Sequence, residues 1–211
     1  MAKQIHLPVS IAVAAVLWFW MFSPWTGHLV NFWICMSCSA VILSMLAICG
    51  NGGLGDCRLM SLRNAVLQLC LGIAIAFMLW GVFWVGDKLS QLMFDFARGQ
   101  VDSVYDMKDG SSPYAVTVLL LFLIGPAEEY FWRGYVQKAL SGRCGRNTAF
   151  MVTTAIYALV HVWSFNFMLV MAALVAGAVW GFIYKERPEA LPALVISHAL
   201  WDALVFTILP I

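Results

Sequence analysis

Six residues in the second half of the chain combine acid, base and cation on apolar segments: Glu128, Glu129, Arg133, His161, His198 and Asp202. An ionisable side chain inside lipid is costly, and it marks a functional site by default. Glu129 and Arg133 are four residues apart, so they share a helix face and can pair. Glu128 points about 100° away from Glu129 and is left for another partner. His198 and Asp202 are likewise four apart, and His161 follows Tyr157 by one helical turn. Gly125-Pro126, just before the glutamates, should kink or widen the helix there.

Such a set suits hydrolysis. Glu and His together can deprotonate a water. His with Asp can donate or orient hydrogen bonds toward an oxyanion. The arginine can hold the second carboxylate ionised and in place. An ionised aspartate only accepts, so Asp202 must either be protonated or act indirectly, and the indirect role is the one expected. It would accept from one ring nitrogen of His198 while the other nitrogen faces substrate. Two Glu and two His could instead bind zinc, but no H-E-x-x-H occurs and Glu129 is committed to Arg133. No cofactor is therefore expected, with zinc the lesser alternative. Ser164 and Ser197 lie near the histidines in sequence, yet Ser197 precedes His198 and faces elsewhere, so no nucleophilic serine is supported. Two other classes remain open: a carboxylate–imidazole proton relay in a transporter, and an inert immunity factor or scaffold.

Long apolar segments must position these groups. The 211 residues are 63% hydrophobic and only 11% charged, where a soluble domain carries about a quarter charged residues. Mean hydropathy is +0.86. The apolar residues recur in blocks long enough to span lipid, so the fold class is all-α, a polytopic membrane helical bundle. The blocks do not alternate as barrel strands would. The net charge of +1 gives no sign of nucleic acid as a partner. Seven spans are expected, near 8–23, 28–49, 65–86, 114–137, 148–163, 167–184 and 190–209. The first resembles a signal peptide, but its Trp- and Phe-rich end lacks a small-residue cleavage site. Counted from the cytoplasmic ends at about 1.5 Å per residue, Glu128 lies roughly 14–18 Å deep, His161 roughly 20 Å and His198 roughly 12–15 Å. Three helices thus bring acid and imidazole to a similar level.

Loop charge orients the bundle. With the N-terminus inside, eight basic residues are cytoplasmic: Lys3, Arg58, Arg63, Lys138, Arg143, Arg146, Lys185 and Arg187. Three are external: Lys88, Arg98 and Lys108. The bias obeys the positive-inside rule and places the C-terminus outside. In the long external connection, Leu89, Leu92, Met93 and Phe96 fall on one face and predict an interfacial helix. Residues 51–56, "NGGLGD", read as a flexible cytoplasmic turn without the residues of a phosphate loop. Of the six cysteines, Cys35 and Cys38 form a C-x-x-C, read as small filler in a membrane helix because no His or Cys stands at matching depth. One integral domain is expected, with residues 1–113 supplying N-terminal helices and the external loop, and residues 114–211 the catalytic core.

At these residues the sequence resembles the CPBP family of intramembrane proteases, which comprises type II CAAX prenyl proteases and bacteriocin-processing (Abi) relatives. The family's E-E-x-x-x-R appears as "EEYFWR", Glu128 to Arg133. Its aromatic-x-x-x-His motif appears as "YALVH", Tyr157 to His161, with Tyr where Phe is usual. Its H-x-x-x-N/D motif appears as "HALWD", His198 to Asp202, with Asp in place of the Asn of the eukaryotic branch. Each motif is weak alone; their order on successive segments is specific. The resemblance covers about 114–209. It implies a glutamic-type intramembrane endopeptidase in which Glu128 and His161 activate water, Glu129 and Arg133 support the site, and His198 and Asp202 stabilise the oxyanion. It further implies a peptide or membrane-anchored protein substrate in a lipid bilayer, by analogy a prokaryotic plasma membrane. Nothing in the sequence points to prenylated substrates or to an oligomeric state.

Overall fold

A computed structural model describes residues 2–51 and 61–211. Among these residues there is no β-strand, and eight helices carry the fold. They are α1 Ala2–Phe22, α2 Phe32–Asn51, α3 Leu62–Met93, α4 Ala97–Tyr105, α5 Pro113–Cys144, α6 Arg146–Leu159, α7 Phe167–Glu186 and α8 Pro188–Ile208. The expected turn at 51–56 lies, beyond Asn51, outside the described residues. Helix starts follow local chemistry. The Ser61 hydroxyl accepts from Asn64 N–H at the head of α3, and the Asn166 side chain accepts from Leu169 N–H at the head of α7. Pro113 and Pro188 open α5 and α8, where a missing N–H costs nothing.

Five helices are long and apolar enough to cross a membrane: α2, α3, α5, α7 and α8. Outward faces carry large apolar side chains such as Leu67, Phe77, Phe122 and Phe182, as expected where lipid is the solvent. The chain is an integral membrane protein with an all-α bundle. The remaining two expected spans correspond to shorter helices. α1 is apolar over His6–Phe22. α6 has 14 residues, about 21 Å at 1.5 Å per residue and short of a 30 Å hydrocarbon core. It ends in a tight turn at His161, inside the bundle rather than at its edge.

The external connection differs from expectation. Leu89, Leu92 and Met93 do not form a separate interfacial helix; they continue α3, whose 32 residues span about 48 Å. Asp87 looks like a helix boundary in sequence, but it is buried and neutralised locally. Gln91 Nε2 donates to its carboxylate at 2.6 Å and Lys88 Nζ lies 3.2 Å away. The separate helix is α4, which starts after Phe96. It is fastened to the start of α7, where Asn166 Nδ2 donates to Gln100 O at 2.7 Å and to Ser103 Oγ at 3.0 Å.

α5 is the central element. It packs against α2 on one side and α8 on another, while α3 backs α8 and α6 backs α7. α5 and α6 are joined through Gly145 alone, whose φ of +83° suits a residue without a Cβ. One apolar cluster gathers α1, α2, α5 and α6 around Trp18, Trp33, Phe131 and Trp132. A second gathers α3, α7 and α8 around Leu79, Trp180, Leu194 and Trp201. The polar face of α5 touches aromatic residues of both.

Candidate active site

Glu128, Glu129 and Arg133 sit where α5 departs from regular α geometry. The helix is widened to π form over Leu120–Ile124 and again over Trp132–Gln137, with a regular segment, Gly125–Phe131, between them. The widening brackets the Gly-Pro pair, and π turns re-aim side chains at functional positions. Gly125 also has a packing reason: a Cβ there would stand 2.7 Å from Ala199 Cα on α8. That close approach brings α5 and α8 together at the level of His198.

The structure brings all six sequence-selected residues to one buried place. Arg133 Nη1 donates to Glu129 Oε1 at 2.7 Å, with side-chain exposures of 1% and 0%. Arg133 Nη2 donates to the Gly177 carbonyl at 3.1 Å. Its guanidinium carbon lies 4.9 Å from the Tyr157 ring and 5.5 Å from the Trp180 ring. The arginine is therefore fully internal. The partner left for Glu128 is Tyr157, whose hydroxyl donates to Glu128 Oε2 at 3.1 Å. His198 Nδ1 lies 2.9 Å from Glu129 Oε1 and Nε2 lies 3.5 Å from Asp202 Oδ2. The Trp180 indole stacks on the imidazole at 4.0 Å between centroids, 18° from parallel.

One expectation is corrected here. The His198 nitrogen expected to face substrate is taken by Glu129, so the close carboxylate orienting this ring is Glu129 rather than Asp202. The reason is the close α5–α8 approach at Gly125, which sets the Glu129 side chain against α8. The Asp202 contact is too long for a strong hydrogen bond.

Glu128, Tyr157, His161, His198 and Asp202 all line one cavity of ≈ 580 Å³. Its other walls are mostly apolar and come from α1 to α4 as well as α5 to α8, with Phe22, Met36, Phe83, Met93 and Phe206 among them. The size is within the range of ligand-binding cavities.

The region around these residues carries a family signature. Residues 110–204 match the family model described as type II CAAX prenyl endopeptidase Rce1-like. The C-terminal region of this chain is thus similar to the CAAX protease family over those residues. Neither the curated proteins nor the solved structures gave a significant match to the chain. The matched region contains Glu128, Glu129, Arg133, Tyr157, His161, His198 and Asp202. Residues 1–109, which include four cavity-lining helices, lie outside the match.

Among the described residues no group of three or more His, Cys, Asp or Glu could hold a metal ion. The hydrogen bonds give the reason. Glu129 Oε1 serves Arg133 and His198, and His161 has both ring nitrogens engaged, Nδ1 with Tyr157 O at 2.8 Å and Nε2 with Trp18 Nε1 at 3.1 Å. These residues do not present a ready ligand set.

Three contacts were not anticipated from sequence: Trp18 on His161, Trp180 on His198, and the Gly177 carbonyl on Arg133. A tryptophan in an apolar helix carries no local mark distinguishing a site neighbour from core. Gly177 within "AALVAGAVWG" hinted at close approach. A Cβ there would meet Tyr157 Cδ1 at 2.8 Å.

Proposed function

We propose that this protein is a glutamic-type intramembrane endopeptidase. The observation that carries the reading is the convergence of Glu128, His161, His198 and Asp202 on one mostly apolar cavity. Glu128 is the general base. Tyr157 holds one of its oxygens, which fixes the carboxylate while it takes a proton from water. His161 is its partner, since its Nε2 is the one site imidazole nitrogen facing neither a carboxylate nor a carbonyl. His198 supplies the oxyanion donor. Its Nδ1 is anchored on Glu129, whereas Nε2 is held only loosely by Asp202 and can turn its N–H to a developing charge. Arg133 and Glu129 form the rigid support. The reaction is hydrolysis: water adds to the scissile carbonyl, and the proton taken by Glu128 passes to the leaving amine.

The substrate is a peptide delivered by an apolar anchor, either a membrane segment or a covalent lipid. Support comes from the mostly apolar cavity wall and from the prenyl-peptide chemistry named in the matched family description. The basic-residue bias places the enzyme with both N-terminal Lys3 and the α5–α6 turn in the cytoplasm and the C-terminus outside. A proton-coupled transporter would place its carboxylates along a through-path rather than around one cavity. The test is comparative proteomics of cells carrying wild type or Glu128→Gln, looking for a membrane-anchored protein whose processing stops. Cleavage of that protein by purified enzyme should fall by about 10²–10⁴-fold in the variant, the usual worth of a positioned base. Undiminished cleavage would remove Glu128 from the mechanism.

A further inference from the structure

Both ring nitrogens of His161 are occupied by the protein itself. Nδ1 lies 2.8 Å from the Tyr157 carbonyl oxygen. A carbonyl only accepts, so Nδ1 carries the hydrogen. Nε2 lies 3.1 Å from Trp18 Nε1. An indole N–H only donates, so Nε2 carries the lone pair. Together the two contacts fix the neutral imidazole in a single tautomer, and they leave no lone pair for water.

The cap is firmly built. Trp18 is 1% exposed and packs edge-on against His161 at 6.0 Å and Trp132 at 6.5 Å. It belongs to α1, outside the matched region 110–204. Phe22, one turn further along the same face of α1, lies 5.5 Å from the imidazole and also lines the cavity, whereas Trp18 does not. A chain occupying the cavity can therefore touch Phe22 and His161 together. Pressure on Phe22 acts on the same helix that holds the indole.

We propose that Trp18 is a positioning residue of this site: its indole N–H caps the one free lone pair of His161, and occupation of the cavity at Phe22 withdraws the cap so that water takes its place. The proposal rests on His161 acting with Glu128. In the resting protein the imidazole is held neutral, oriented and dry. The indole N–H takes up the only acceptor the ring has. Uncapping leaves Nε2 able to accept from that water while Glu128 takes its proton.

The experiment uses the full chain in lipid nanodiscs and diethylpyrocarbonate, which acylates an imidazole nitrogen through its lone pair. Labelling of His161 is followed by peptide mass spectrometry, with the exposed His28 as internal reference. Trp18 is replaced by 3-benzothienylalanine, which keeps the bicyclic shape and lacks the N–H, and separately by Phe. Removing a hydrogen bond of this kind should raise the His161 rate about fivefold in the isostere with His28 unchanged. Equal His161 rates in wild type and isostere would overturn the cap. Nitrogen-15 spectra of the wild-type protein should show His161 neutral with hydrogen on Nδ1; hydrogen on Nε2 would equally overturn it. Neither readout involves a peptide substrate. Failure of Glu128→Gln to impair cleavage would therefore leave the cap standing, and failure of the cap would leave the Glu128 assignment untouched.

Discussion

Arg133→Met should destabilise the protein by about 3–5 kcal/mol, because it strands a buried carboxylate. The guanidinium and its partner are 1% and 0% exposed at 2.7 Å, so no solvent can replace the arginine when it is removed. A long cationic side chain near a helix end can instead snorkel to the membrane surface. Its burial and its second bond, to the Gly177 carbonyl, exclude that in this structure. Methionine keeps much of the length and fills much of the space, so the loss is electrostatic rather than a cavity. His198 Nδ1 remains beside Glu129 Oε1 and supplies partial compensation, which puts the expected cost nearer 3 than 5 kcal/mol.

The assay is thermal unfolding of purified protein in detergent. At about 2–4 °C per kcal/mol for a chain of this size, the midpoint should fall by roughly 6–12 °C. Arg133→Lys keeps a charge but cannot fork to both Glu129 and the Gly177 carbonyl, and should lose about 1–2 kcal/mol. Glu129→Gln added to Arg133→Met removes the stranded charge and should recover part of the loss. The two effects should thus be non-additive by more than about 1 kcal/mol. A midpoint for Arg133→Met within about 2 °C of wild type, or additive single effects, would refute the buried-pair argument.

Other consequences are testable with the same preparation. Gly125→Ala drives a Cβ to 2.7 Å from the Ala199 backbone, and should cost about 1–3 kcal/mol in unfolding midpoint through overpacking; an unshifted midpoint would mean α5 and α8 do not meet there. A periplasmic-type reporter fused after Ile211 should be active, as the basic asymmetry requires, and activity of a cytoplasmic-type reporter instead would invert the orientation. His198→Ala should abolish cleavage while remaining folded. Asp202→Asn should retain substantial cleavage, since the amide can accept from Nε2 or donate to the oxyanion directly; equal folding losses in both variants would make the pair merely structural.

Much of the site was legible because charge in an apolar segment stands out and helical spacing turns sequence distance into geometry. Glu129–Arg133 pairs as an i,i+4 couple, and His198 meets Asp202 across the same interval, though only at 3.5 Å. What spacing could not give was the contact between elements. Glu129 reaching across to His198 depends on how closely α5 and α8 approach, which Gly125 decides and no motif records. The same limit applied to helix ends. The expected span ended at residue 86, yet Asp87 lies buried within a continuing α3, with Lys88 and Gln91 on one of its carboxylate oxygens. α6 read as a span, yet its 14 residues stop at the depth His161 must occupy.

The aromatic residues carry the larger lesson about where function resides in this chain. The matched region supplies the acid, base and cation, but a carboxylate or imidazole in an apolar cavity is only as useful as the contacts that fix its orientation. Tyr157 fixes Glu128, Trp180 lies flat on His198, and Trp18 closes His161. Two of these three lie within residues 110–204; the third comes from α1. Phe22, Trp33, Met36 and Phe83, which wall the cavity, also come from helices outside that region. On the proposed reading the reacting groups come from the C-terminal helices, while α1 to α4 share in walling the cavity and so in shaping what can enter. Chains sharing the motifs but differing in the first hundred residues should therefore keep the chemistry and change the substrate.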